Sequence, residues 1–107
     1  MFKTIIIDGK EMELMANAAT PFRYKQVFGR DLFSILGNEQ RAETEGVEAV
    51  TELAYIMAKQ AEKTDMNKLN KDDFFAWLEG FGSMAFINAA DEIVGVYMEQ
   101  STGTATP

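Results

Sequence analysis

The chain of 107 residues contains no cysteine and no histidine. Without cysteine there is neither a disulfide framework nor a thiolate metal site, a composition that fits a reducing cytoplasm. Long hydrophobic runs are missing as well. The apolar run in MFKTIIIDGKEMEL stops at Asp8, too short for a signal h-region, and no later segment approaches about 18 uninterrupted apolar residues. The expectation is a protein that stays where it is made and has no membrane partner. Positive charge is scarce too: Lys and Arg number 10 against 17 Asp and Glu, for a formal net charge of -7. A surface that binds nucleic acid must concentrate Lys and Arg, and no basic cluster exists here, so a nucleic-acid partner is not expected.

What is present describes an ordinary folded domain. Hydrophobic residues make up 47% and charged residues 25%, well clear of the disordered regime. No Pro/Ser-rich or charged spacer divides the chain, so one compact domain is expected over residues 1–100, with the patternless STGTATP at 101–107 as a flexible tail. The expected class is mainly α, with an N-terminal β-hairpin followed by about four helices.

KTIIIDGKEMELM reads as two short strands around Asp8-Gly9, a dipeptide suited to the positive φ angles of a tight turn. That register puts Ile5 opposite Met12, with Ile7 and Leu14 on their side, and leaves Thr4, Ile6, Glu11 and Glu13 on the other. A lone hairpin is marginal in water, so it must lie on helices or pair with another chain. A first helix is predicted from Thr20 as cap and Pro21 to Gly37, with Tyr24, Phe28, Leu32, Ile35 and Leu36 as its stripe and Gly29 a weak spot in its middle. NEQRAETEG reads as a loop, after which Thr44 caps a second helix running to near Lys63 on Val47, Val50, Leu53, Ala54, Met57 and Ala61. The third helix is predicted from Asn70 to about Gly80, with Asp72 and Asp73 at the positive end of its dipole. The fourth runs from about Ser83 to Glu99, with Ile87, Ala90, Val94, Tyr97 and Met98 on its apolar side and Met84, Phe86 and Ile93 flanking them. Its wide apolar arc and the free hairpin edges predict a homo-oligomer.

Four features suggest chemistry and fail on inspection. Gly80-x-Gly82-x-x-Ala85 matches the letters of a dinucleotide fingerprint, but helical sequence precedes it and no second strand can follow. Against calcium-loop spacing from Asp65, Leu69 stands where an oxygen ligand belongs, Asn70 where the glycine belongs and Ala76 where the bidentate Glu belongs. Asp72 and Asp73 point about 100° apart on a helix, so they do not converge on one atom. Ser34, Ser83 and Ser101 lack the usual histidine base. Neither a cofactor nor a metal is expected, and the chain reads as a non-enzyme.

The aromatics remain. Phe74, Trp77, Leu78 and Phe81 follow the i, i+3, i+4, i+7 spacing of one buried face. Phe75 lies about 100° off that face, as Phe33 and Tyr55 lie off the stripes of the first and second helices. Aromatics exposed on helix after helix mark a protein-binding surface, and Phe33, Tyr55, Phe75 and Tyr97 are the candidate contact residues.

In this order of features, the DGKEMEL hairpin, the FGRDLF segment and the pair FFAWLEGF and IVGVYM, the chain resembles the small tail assembly chaperones of tailed phages and prophages of Gram-positive bacteria. The resemblance covers about residues 2–100. It implies a cytoplasmic morphogenesis factor, absent from the mature virion, that coats and solubilises the tape measure protein. It also implies recruitment of tail tube protein, in many members through a longer form made by ribosomal frameshifting. The rival reading is a small phage or prophage regulatory or inhibitor protein that blocks one host protein through the same surface.

Overall fold

A computed structural model describes residues 2–101. Strand β1 (Lys3–Ile7) pairs antiparallel with β2 (Lys10–Leu14) through a turn in which Asp8 and Gly9 both take positive φ, at 57° and 77°. That conformation matches the right-handed twist of the strands, which is why Asp-Gly is favoured there. The register sets Ile5 against Met12 and Ile7 against Lys10. Ile5, Ile7 and Leu14 are buried, Met12 is half-buried and Ile6 is exposed, the alternation expected from the sequence.

The expected first helix is two helices. α1 (Thr20–Phe28) ends where Gly29 takes φ +72°, a left-handed conformation that costs little only for glycine, and its N–H closes the helix on the Lys25 carbonyl at 2.7 Å. The Asp31 carboxylate then accepts the N–H groups of Phe33 and Ser34 and starts α2 (Leu32–Leu36). Thr20 does not cap α1. It lies in the first turn, buried, where its hydroxyl accepts the Asn17 N–H and donates to Gln60 Oε1 at 2.8 Å, tying the helix start to the centre of the fold.

A second correction concerns NEQRAETEG, which is helix and not loop. α3 (Glu39–Ala61) begins behind Asn38, whose side chain accepts the Arg41 N–H at 3.0 Å. An Arg41–Glu45 pair one turn apart supports this polar first stretch, and the Thr44 hydroxyl bonds back to the Gln40 carbonyl instead of capping. A short 3-10 turn (Met66–Lys68) occupies the stretch that resembled a calcium loop. α4 (Lys71–Leu78) starts at Asn70 as expected, with the Asn70 side chain accepting the Asp73 N–H at 2.8 Å. α5 (Ala85–Ser101) closes the fold. The expected tail from 102 onward lies outside the described residues.

α3 is the axis of the molecule. It packs against β2, α1, α2, α4 and α5, and every residue from Glu52 to Ala58 is buried. The one-sided stripe expected for this helix holds at Val50, Leu53, Ala54 and Met57 but not at Val47, which is exposed. On α5 the buried face is Phe86, Ala89, Ile93, Val96 and Tyr97, rotated from the expected one so that Ile87 and Met98 face outward, and Met84 just before the helix is exposed as well. None of the described helices is long and apolar enough to cross a membrane.

Candidate functional site

A seam of aromatic rings runs along one side of α3. Phe28 meets Phe74 with ring centroids 5.0 Å apart, Phe74 meets Tyr55 at 5.3 Å, Tyr55 meets Trp77 at 5.5 Å, and Trp77, Phe81 and Phe86 form a further triangle at 5.0 to 5.4 Å. All six of these pairs are edge-on or tilted, the arrangement that ring quadrupoles favour. The seam fixes α4 and the α4–α5 turn against α3.

Two hollows open above it. The first, of about 350 Å³, lies between α3, the end of α1 and α4, and is lined by Phe28, Phe74, Phe75 and Leu78 with Arg30, Glu48, Glu52 and Lys71 at its polar end. The second, of about 260 Å³, lies between α3 and the start of α5, and includes Val47, Leu78, Phe81, Phe86 and Ile87. Thr51 and Leu78 belong to both, so the hollows adjoin across a low saddle. Phe75, Val47 and Ile87 stand exposed around them. A two-lobed apolar groove on rigid helices suits apolar side chains projecting from another helix.

The polar end is held from inside. Glu52 is only 6% exposed, and its Oε1 accepts the Tyr24 hydroxyl at 2.7 Å with Arg30 Nε 3.8 Å away. Arg30 also pairs with Glu48 and reaches Glu45 at 3.8 Å. Burial, reinforced by the neighbouring Glu52 carboxylate, holds the Tyr24 hydroxyl protonated far above the usual tyrosine range. Burial and the hydrogen bond to Asp73 do the same for Tyr55. Glu45 moves the other way, because the Arg41 hydrogen bond favours its charged form. One guanidinium thus organises three carboxylates of α3 beside the groove. Among the described residues, no group of three or more acidic side chains is placed to hold a metal ion.

The four contact residues named from sequence separate cleanly. Phe75 is 59% exposed and lines the first hollow, and Phe33 is 64% exposed on α2 but lines neither hollow. Tyr55 and Tyr97 are corrections: they are 0% and 2% exposed and belong to the core. Tyr55 sits off the stripe of its own helix, yet α3 is covered on all sides at that level, so leaving one face leads only into another. Tyr97 lies on the apolar side of α5 in both the expected and the observed arrangement, and that side packs on α3 and β1. Leu78, Ile87 and Val47 were read as core positions and turn out to shape the groove. Glu52 went unnoticed, although it is the only charged residue between Ala49 and Ala58, and a lone acid in such a run is a legible signal of a buried partner.

The chain matches no protein-family model, and comparison with curated proteins and with solved structures likewise finds no match.

Proposed function

We propose that this chain is a non-enzymatic tail assembly chaperone whose two-lobed groove takes apolar stripes of the tape measure protein and keeps that protein soluble in the host cytoplasm. The observation that carries the reading is the groove itself. It places three exposed apolar side chains, Phe75, Val47 and Ile87, around two adjoining hollows whose floor is a packed aromatic seam. A tape measure protein is a long helical chain, and each amphipathic segment needs a cover of this kind until tube subunits replace it. The net charge of -7 supports the role by keeping a loaded complex soluble. Recruitment of tail tube protein, through a longer frameshifted form of the chain, belongs to the same proposal, as does departure before the virion is complete.

The test is co-expression with the tape measure protein of the same genome. Phe75→Asp or Ile87→Asp should cut the soluble tape measure fraction several-fold while leaving the chaperone folded. Phe22→Asp, a change at an exposed aromatic on α1 that lines neither hollow, should not. Tape measure protein that stays soluble with the groove variants, or is insoluble with the unaltered chain, refutes the reading.

A further inference from the structure

The tip of the β-hairpin touches the α4–α5 turn at three successive residues. Lys10 Nζ donates to the Gly80 carbonyl, the same ammonium stands 4.8 Å from the centre of the Phe81 ring, and the Asp8 carboxylate accepts the Gly82 N–H at 3.0 Å. The turn is also held by the Phe81 ring in the aromatic seam and by the Gly82 carbonyl, which accepts the Ala85 N–H at 3.1 Å. Gly80 and Phe81 bond back to Trp77 and Leu78, but among the described residues the Gly82 N–H is held by Asp8 alone. Phe81 and Gly82 both line the second hollow, and Phe81 is also a corner of the Trp77–Phe81–Phe86 triangle. The two glycine-containing motifs singled out in the sequence, Asp8-Gly9 and Gly80-x-Gly82, therefore meet in space and explain each other.

We propose that the hairpin tip is a latch that holds the α4–α5 turn in the shape the second hollow requires, so that hairpin and groove behave as one coupled unit. The inference rests on the groove reading given above. Its physical content is linkage. If the latched turn binds the partner better than the released one, breaking the latch weakens binding, and an occupied groove in turn protects the latch. Both hydrogen bonds involve a charged group and lie at the surface, where they can open without unfolding the core.

The variants that test this keep the tight turn. Asp8→Gly preserves positive φ while removing the acceptor, Lys10→Met preserves the stem while removing the ammonium, and Asp8→Asn retains an oxygen for the Gly82 N–H. Amide hydrogen exchange on the full chain should show residues 80–87 exchanging at least about tenfold faster in Asp8→Gly and Lys10→Met, as expected when a hydrogen bond to a charged group is lost from a locally opening segment, with residues 50–58 of α3 unchanged and Asp8→Asn close to the parent. The same two variants should keep less tape measure protein soluble, although neither side chain lines the groove. Unchanged exchange at 80–87, or acceleration spread equally into α3, overturns the latch. Local loosening with undiminished solubilisation overturns its coupling to the groove. Failure of the unaltered chain to solubilise the partner refutes the proposed function instead, and exchange then decides the latch by itself.

Discussion

Phe74 and Phe75 are neighbours in sequence and opposites in the fold, which makes their truncation a sharp test of the packing described for α4. Phe74 is buried and meets Phe28, Tyr55, Phe75 and Trp77 within 6.4 Å between ring centres. Removing a buried phenyl ring ordinarily costs about 3 to 5 kcal/mol. Here the space vacated is continuous with the first hollow, so water and the exposed Phe75 ring can enter it, which places the cost near the lower bound, about 3 kcal/mol. Phe75→Ala forfeits one ring contact, with Phe74 at 5.4 Å, and a surface hydrophobe, so its cost is within about 1 kcal/mol. In urea titrations followed by circular dichroism, with a slope of roughly 1.5 kcal/mol per molar, Phe74→Ala should lower the midpoint by about 2 M and Phe75→Ala by less than about 0.7 M. Equal shifts, or a larger one for Phe75→Ala, would mean that α4 is rotated relative to the face described here.

Two further outcomes follow from local geometry. Gly29→Ala meets no atom within 4 Å, so its cost is conformational alone, about 1 to 2 kcal/mol for a left-handed alanine, and Gly29→Asn should cost less; thermal melts of the pair check this. The protein has three tyrosines, and those at 24 and 55 hold their protons more tightly folded than unfolded, so the stability they contribute is complete below about pH 10 and falls as pH rises above it. Absorbance at alkaline pH should show these two hydroxyls ionising together with loss of helical circular dichroism, and ionisation while the helices persist would contradict the burial of both.

Legibility followed the range of the interactions involved. The hairpin was readable residue by residue because an Asp-Gly turn and a two-residue period fix register locally. The Asn70 cap and the split between Phe74 and Phe75 were readable for the same reason. Thr20–Gly37 misled because a glycine inside a periodic stripe can be either tolerated or a terminator, and only the chain's path after Gly29 decides between them. Glu39 to Gly46 misled because polar helix held by a cap and an i,i+4 pair has no apolar period to show. For the candidate site, the sequence placed Phe75 outside and Phe74 inside. It could not show that α3 is covered all round, which removed Tyr55, that the apolar side of α5 is closed by α3 and β1, which removed Tyr97, or that α5 is rotated, which exposed Ile87. Those facts arise from five elements meeting on one helix, and no single segment contains them.

The contact between Asp8 and Gly82 joins residues 74 positions apart, and the hairpin face of Ile5, Ile7 and Leu14 is roofed by α3 and α5. On a ribosome adding roughly 5 to 20 residues per second, at least several seconds separate the emergence of that greasy face from the emergence of its cover. For that interval the strands can form only a marginal hairpin with both edges open. The hairpin is thus sheltered only once α5 has been made, and until then its apolar face is open to any chain nearby.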